Sequence, residues 1–213
     1  MGQIIDKSYF QNANDLNIPL SVEMIVANPT IETPNSVDYL TSLCEKVEKS
    51  ILINSLGLEA YNELQLAIAD DFVNPLYAKY EKLVKGEQYN GKIWYGLNYE
   101  YSLIAWRIFE QFLTKTNQKL TAIGNVEVTP QNANLTTPAY IISNANDEFI
   151  RGYQGGILRY PVIYNDGEFI DYFGNSDEIE VSLYQYLSDK ASDFTNVDLN
   201  KFKIYETVNS FGI

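Results

Sequence analysis

The stretch KLVKGEQYNGKIWYGLNYEYSLIAWRIFEQFLTKT, from Lys82 to Thr116, decides the fold. Its pattern predicts the end of one helix, a short loop with glycines, and then a long helix crowded with aromatic side chains. The loop carries Trp94 and Tyr95, where connecting segments usually hold small polar residues. Because the helix predicted over about residues 97–117 is apolar on most sides, we expect it at the centre of a bundle.

Helix start and stop signals precede this stretch. Residues 37–51 place apolar side chains at spacings of three and four, which makes one face of a helix. Gly57 is expected to end that helix in a left-handed conformation, after which LEAYNELQLAIA resumes helical spacing. Asn74, Pro75 and Gly86 supply the cap, the first-turn proline and the stop of the next helix.

The chain after Gly124 changes character. Residues 125–138 are polar and contain two prolines, which favours a long exposed connection. Residues 138–154 predict a further helix. Residues 160–173 place two apolar runs on either side of an Asn-Asp-Gly turn, and this pattern predicts a β-hairpin.

Two patterns follow that hairpin. The segment SDEIEVSLYQYLSDKA predicts a final helix, capped by Ser176 and acidic in its first turn. The tail FKIYETVNSFGI alternates apolar and polar residues. We expect this tail to be extended and able to join a sheet as an edge strand.

These patterns predict a mainly α protein, a bundle of about four to six helices around a long aromatic central helix. A small β-hairpin insertion and extended N- and C-terminal arms complete the fold. We expect residues 1–33 to form the N-terminal arm and residues 34–124 the helical core. Residues 125–213 would contain the exposed loop, the further helices, the hairpin at about 160–173 and the tail.

Charge and composition exclude several classes of protein. The net charge is −13 and no basic cluster is present, which argues against a nucleic-acid-binding module and against an anionic membrane surface. No apolar run approaches the ~20 residues of a membrane span. Cys44 is the single cysteine, so no intrachain disulfide can form, and its place on an apolar helix face predicts burial.

The sequence offers no pattern typical of catalysis. It contains no histidine, the commonest general base and metal ligand. The segment NDGEFID lacks the ligand spacing of a calcium loop, and GYQGGILRY lacks the lysine of a phosphate-binding loop. We therefore expect no enzymatic activity, no cofactor and no metal. The 17 tyrosines and 10 phenylalanines favour a role in assembly, since tyrosine is enriched at protein interfaces.

The order of these segments resembles the head–tail connector (adaptor, or head-completion) proteins of tailed bacteriophages, in particular the ring proteins of crAss-like phages. The resemblance covers about residues 37–128. The segment SLYQYLSDKASDF is similar to the closing helix of that family more weakly, and residues 159–173 depart from the pattern. The matching positions are Leu56, Gly57, Tyr61, Leu64, Leu83, Gly86, Trp94, Gly96, Leu97, Thr121 and Gly124.

The resemblance implies a structural virion protein in the phage neck, made in the cytoplasm of the bacterial host. Its copies would form a dodecameric ring that joins the portal to the tail and extends the DNA channel. The implied partners are other copies of the chain, the portal protein, and a tail or second neck-ring protein. DNA would pass through without specific binding, and no membrane is involved. The alternatives are another virion part, such as a tail-completion protein, or a monomeric protein-binding module.

Five aromatic residues are the candidate interface residues. Trp94, Tyr95 and Tyr99 lie in the aromatic segment, and Tyr205 and Phe211 lie in the tail. Two roles stay open for the first two rings: filling the core of their own subunit, or reaching a neighbouring subunit. The glycines on either side of them would let the backbone turn closely enough for the rings to tuck inward.

Overall fold

The structure is a computed structural model that describes residues 2–11, 16, 18, 36–116, 118–121, 124–127, 138–155 and 180–205. Within these residues the protein is mainly helical, with five α-helices and two short antiparallel hairpins, which confirms the predicted fold class. The helices are α1 (Ser36–Ala69), α2 (Ala78–Lys85), α3 (Leu103–Thr116), α4 (Pro138–Gln154) and α5 (Leu183–Asp189). The strands are β1 (Glu87–Tyr89), β2 (Lys92–Trp94), β3 (Gln118–Thr121) and β4 (Gly124–Glu127). Short 3-10 helices span Lys7–Gln11, Pro75–Tyr77 and Leu199–Lys201.

Helix α1 breaks at Gly57, as the sequence predicts. The glycine has φ 83° and ψ 166°, so helical geometry stops there and resumes at the next residue. The ψ angle differs from the left-handed cap that we expected, in which ψ is about 47°. Only glycine adopts this region readily, and it allows two helical segments to follow one another with a kink between them.

Helix α3 is the central helix, and it packs mainly on α4 and α1. Ile104 and Ile108 are fully buried along its length. The helix begins at Leu103 rather than near Leu97, which corrects the predicted start. The reason is Ser102, whose Oγ accepts the Ile104 N–H at 3.2 Å and donates to the Leu97 carbonyl at 2.5 Å. Ser102 is therefore the N-cap, and the residues before it form turns.

Helices α2 and α4 confirm their predicted signals. Asn74 caps the 3-10 turn that leads into α2, with its side chain accepting the Leu76 N–H at 3.0 Å. Pro75 opens that turn, and Gly86 ends α2. Helix α4 spans the 138–154 segment that the sequence marks as helical.

Part of the predicted N-terminal arm packs on the core of its own subunit. Ile5 and Phe10 are fully buried, and they belong to the same apolar cluster as α1 and α3. Glu48 of α1 fixes this segment, because its carboxylate accepts the backbone N–H groups of Ile4 and Ile5 at 3.0 and 2.9 Å. Burial of the two apolar side chains explains why this stretch is not free to extend from the protein.

Glu48 makes the stability of the protein depend on pH. Burial raises the pKa of this carboxyl from 4.5 to about 7, although the hydrogen bonds from Ile5 and Ile4 oppose the shift. The folded protein therefore binds a proton that the unfolded chain has released, so stability falls as pH rises from about 4.5 to about 7. Because glutamine cannot ionise, we expect the free energy of unfolding of Glu48→Gln, relative to that of the wild type, to increase by roughly 3 kcal/mol across this pH range. Urea unfolding at several pH values measures this difference, with Glu59→Gln as the exposed control on the same helix; parallel profiles for Glu48→Gln and wild type would contradict it.

The C-terminal helix α5 starts later than predicted. Its N-cap is Ser182, whose Oγ accepts the Gln185 N–H at 3.2 Å, rather than Ser176. Glu180 and Val181 are not helical, because their backbone forms a parallel bridge to Ile93 on β2, with the Val181 N–H donating to the Ile93 carbonyl at 3.0 Å. The predicted hairpin at 160–173 lies outside the described residues.

The described hairpins occur where the sequence analysis placed a loop and a helix end. In the first, Glu87 pairs with Trp94 across a turn at Asn90 and Gly91. Both turn residues have positive φ, 47° and 79°, which is the geometry of a type I′ turn. The second hairpin pairs β3 with β4 directly after α3, with Thr121 opposite Gly124.

Candidate functional site

Two glycines hold the first hairpin against the end of α2. Gly86 has φ +88° and Gly96 has φ +94°, and both lie where two backbones meet. A Cβ atom at Gly96 would stand 2.4 Å from the Val84 carbonyl oxygen, and one at Gly86 would stand 2.6 Å from the Trp94 carbonyl oxygen. This close approach fixes the position of the aromatic residues that follow β2.

Trp94 lies in the core of its own subunit. Its side chain is 4% exposed, its ring stacks on Tyr186 at 5.1 Å, and its indole N–H donates to the Leu83 carbonyl at 2.9 Å. Of the two roles left open by the sequence, the structure places Trp94 in the first. Only a small part of the ring, buried between α2 and α5, remains exposed, and Trp94 lines the groove described below.

Three tyrosines after β2 form an exposed row. Tyr95, Tyr99 and Tyr101, here called the tyrosine row, are 38%, 36% and 38% exposed. Tyr95 stacks on Tyr99 with 4.5 Å between ring centroids, and Tyr101 lies 6.0 Å from Tyr99. Tyr101 in turn stacks on Trp106 of α3 at 6.4 Å. Two of the predicted interface residues, Tyr95 and Tyr99, are thus brought together on the surface.

The turns that carry the tyrosine row are fixed from the N-terminal segment. The Tyr9 hydroxyl donates to the Tyr99 carbonyl and accepts the Ser102 N–H, the latter at 3.1 Å. Tyr9 is half-buried and stands next to the buried Phe10. The row is therefore positioned by two elements, the glycine contact and the N-terminal 3-10 helix.

An open groove of about 390 Å³ runs beside the tyrosine row. One wall is the row with Trp94 and Trp106, and the other is formed by the last turns of α4 and by residues 180–182. Gly152 of α4 lets the two walls meet at the floor, since a Cβ there would lie 3.1 Å from the Leu103 Cβ. We call this feature the aromatic groove.

The charges on the aromatic groove are mostly negative. Glu148, Arg151 and Glu180 line it, and Arg151 pairs with Glu148 at 2.5 Å on the exposed rim. The Glu180 carboxylate accepts the Tyr95 hydroxyl at 2.8 Å, and this hydrogen bond raises the pKa of Tyr95. Among the described residues, no cation pairs with Glu180.

The groove also offers hydrogen-bond donors. Trp106 lines it and is 8% exposed, and within the described ranges nothing accepts a hydrogen bond from its indole N–H. Tyr99 also lines it, and its hydroxyl likewise has no described partner. Sequence reasoning did not single out Trp106, which lies in the predicted central helix, or Glu180, which lies in the predicted final helix. The stretch YGLNYEY places Tyr101 two residues after Tyr99, and this spacing could have added Tyr101 to the candidate residues.

Tyr205, the tail candidate that the structure describes, does not line the groove. Tyr205 is half-buried on α4, where its ring contacts Phe149 at 5.0 Å and Tyr153 at 5.2 Å. Its backbone N–H donates to Gln154 Oε1 at 2.8 Å, and its carbonyl accepts from Gln154 Nε2 at 2.9 Å. Residues 202–205 form no strand, so the predicted edge strand is not seen in this described part. Phe211 lies outside the described residues.

Three further expectations concern chemistry and membranes. Cys44 is fully buried, as predicted, and burial raises the pKa of its thiol to about 12. No group of three or more metal-ligating side chains is found among the residues that the structure describes. In the same part of the chain, no helix has both the length and the apolar character to span a membrane.

The arrangement of the aromatic groove suits recognition of another protein. It combines stacked aromatic rings, two donors without an acceptor among the described residues, and a carboxylate without a described cation in an open depression, which are features of a docking surface. Comparison with known proteins finds no matching family model, no matching curated protein and no matching solved structure.

Proposed function

We propose that this protein is a structural assembly protein that docks to other proteins through the aromatic groove. The observation that carries this function is the tyrosine row, three exposed and mutually stacked rings beside an open groove. Contiguous exposed aromatic surface marks interaction sites, and tyrosine combines a large apolar body with a polar tip. Stacking also restricts the rings before binding, which lowers the entropic cost of docking.

We further propose a place for this assembly in the neck of a tailed phage, as a ring between portal and tail. The resemblance of residues 37–128 to connector proteins supports this placement. The net charge of −13 is compatible with it, because an acidic channel wall would let DNA pass without adhering. Other copies of the chain, the portal protein, and a tail or second neck-ring protein would be the partners.

A monomeric protein-binding module is the second candidate, and one feature favours it. The described part of the N-terminal segment closes on its own subunit, with Ile5 and Phe10 fully buried. A protomer that buries its apolar residues within its own core does not need neighbours to fold. The aromatic groove would then serve one partner rather than a ring.

Tyr99→Ala tests the docking role of the tyrosine row. We expect the free energy of unfolding of this variant to lie within about 1 kcal/mol of the wild-type value, since the ring is partly exposed. Its assembly should require at least about tenfold more protein, because loss of a central interface tyrosine typically costs more than 1 kcal/mol. Mass photometry across a concentration series, with and without the portal protein, measures this shift.

Tyr140→Ala is the matched control, because Tyr140 is 76% exposed on α4 and does not line the groove. It should assemble as the wild type does. Equal assembly of Tyr99→Ala and wild type would count against the groove as the docking surface. A wild-type protein that stays protomeric with the portal present would favour the monomeric module.

A further inference from the structure

We infer that the N-terminal segment is a detachable strap, held by protonated Glu48, that regulates the docking surface at the tyrosine row. The strap is defined as residues 2–11. It contacts Glu48 of α1 near one end and the turns of the tyrosine row near the other. The inference rests on the proposed function in its last step, that the groove is a docking surface, and it adds a means of regulating that surface.

Glu48 holds the first end of the strap. Its side chain is 4% exposed, and its carboxylate accepts the Ile4 N–H at 3.0 Å and the Ile5 N–H at 2.9 Å. An ionised carboxylate is costly to bury even when it accepts hydrogen bonds. Detachment of the strap returns Glu48 to water, so ionisation of Glu48 favours detachment.

Tyr9 holds the second end of the strap. Its hydroxyl donates to the Tyr99 carbonyl and accepts the Ser102 N–H at 3.1 Å. The Ser102 N–H also donates to the Tyr99 carbonyl at 2.9 Å, so the turn keeps this internal hydrogen bond when Tyr9 leaves. Detachment therefore loosens the turn that presents Tyr99 and leaves α3 folded. The tyrosine row then loses part of the preorganisation that favours docking.

A short, well-packed segment joins the two ends. Ile5 and Phe10 are fully buried in the same apolar cluster. Tyr9 belongs to the 3-10 helix Lys7–Gln11, and its ring lies 5.6 Å from the Phe10 ring. Release of Ile5 from the cluster weakens the packing that keeps Phe10 and Tyr9 in place, so the two ends detach together.

Glu48 changes its protonation near neutral pH. Burial raises its pKa from 4.5 to about 7 while the strap is attached. The carboxyl keeps a proton in the attached state that it releases in the detached state, so detachment becomes easier as pH rises from about 4.5 to about 7. Terminal segments open at much lower free energy than the whole fold, which makes the strap the part most sensitive to this change.

Other titratable groups face Glu48. Burial raises the pKa of the Cys44 thiol to about 12 and also raises the pKa of Tyr61, so neither group ionises near neutral pH. A hydrogen bond from Ser8 lowers the pKa of Asp6, so the carboxylate of the strap itself stays ionised there. The charged side chains that border an open pocket of about 400 Å³ together with Glu48 are Glu45, Lys46 and Lys49.

Amide hydrogen exchange on the full-length protein tests the first end of the strap. After correction for intrinsic rates, the opening constants of the Ile4 and Ile5 amides should rise roughly fiftyfold from pH 5 to pH 7.5, given a pKa of about 7 attached and 4.5 detached. The Ile108 amide of α3 should stay at least a hundredfold better protected at both pH values. Glu48→Gln should remove the rise, and the exposed control Glu59→Gln should keep it.

Tyr9→Phe tests the second end, because it removes the hydroxyl and keeps the ring beside Phe10. Protection of the Ser102 amide should fall at least threefold between the two pH values in the wild type, and it should be low at both in Tyr9→Phe. By mass photometry, the wild type and Glu59→Gln should need at least threefold more protein to assemble at pH 7.5 than at pH 5. Glu48→Gln should reduce that ratio.

Four results would overturn the inference. These are equal protection of the Ile4 and Ile108 amides, a rise that persists in Glu48→Gln, constant protection of Ser102 while the strap opens, and equal assembly at both pH values. Failure of the proposed function gives a different result. Strap opening coupled to Ser102, in a protein that assembles at neither pH, would keep the strap and reject the groove as a docking surface.

Discussion

Trp94→Ala should lower the free energy of unfolding by about 3 to 5 kcal/mol, the range for removal of a large buried aromatic side chain. The ring is 4% exposed, stacks on Tyr186 at 5.1 Å and donates its N–H to the Leu83 carbonyl. Truncation leaves a cavity between α2 and α5 and removes the anchor of the first hairpin. Chemical denaturation followed by circular dichroism measures the loss.

Trp94→Phe is the graded control for this experiment. It keeps a phenyl ring against Tyr186 but removes the indole N–H and part of the ring volume, so we expect a smaller loss than in Trp94→Ala, about 1 to 3 kcal/mol. The Leu83 carbonyl retains a second donor, the Leu97 N–H at 3.2 Å, which limits the effect. A Trp94→Ala protein of wild-type stability that fails to assemble would instead place this ring at a subunit interface.

Gly96→Ala should cost more than about 3 kcal/mol, which combines backbone strain with a steric clash. The residue has φ +94°, and its Cβ would stand 2.4 Å from the Val84 carbonyl oxygen. Because that neighbour is backbone, it cannot rotate away, and α2 and the hairpin must separate. Tyr95 precedes Gly96 directly, and Tyr99 and Tyr101 follow it, so docking should fail together with stability.

Gly91→Ala provides the matched comparison. Gly91 also has a positive φ, +79°, but an added Cβ there meets nothing within 4 Å. This variant should therefore cost only the backbone strain, about 1 to 2 kcal/mol. The difference between the two variants in urea denaturation isolates the clash. Equal losses would show that Gly86 and Gly96 do not fix the hairpin by close backbone contact.

Element identity was more predictable than element boundaries. Asn74 caps the 3-10 turn that leads into α2, and Gly86 ends α2, as their residue types indicate, because capping is a local property of the backbone. The starts of α3 and α5 were wrong, since Ser102 and Ser182 sit inside longer helix-compatible patterns. Their capping role depends on tertiary contacts, such as the bridge from Glu180 to β2, that local spacing does not reveal.

The first hairpin shows a local signal that was present but overlooked. The dipeptide at Asn90 and Gly91 is a strong indicator of a two-residue β-turn, yet the strands on either side have only three residues each. So few residues cannot display alternation, which is why the segment looked like a loop.

The candidate site was predictable only in part. The aromatic segment drew attention to Tyr95 and Tyr99, which the structure places together on the surface. Which ring of the pair Trp94 and Tyr95 turns inward depends on strand pleating, since consecutive side chains in a strand point to opposite faces. Glu180 joins the groove from 85 residues away in the chain, and such a contact has no signature in a single sequence.

The composition of purified phage particles tests the central claim most directly. Quantitative mass spectrometry should compare peptides of this protein with peptides of the portal protein from the same particles. A structural ring matched to the portal predicts a ratio close to one copy for each portal subunit. Absence of the protein from particles that contain the portal would contradict the assembly role in the neck.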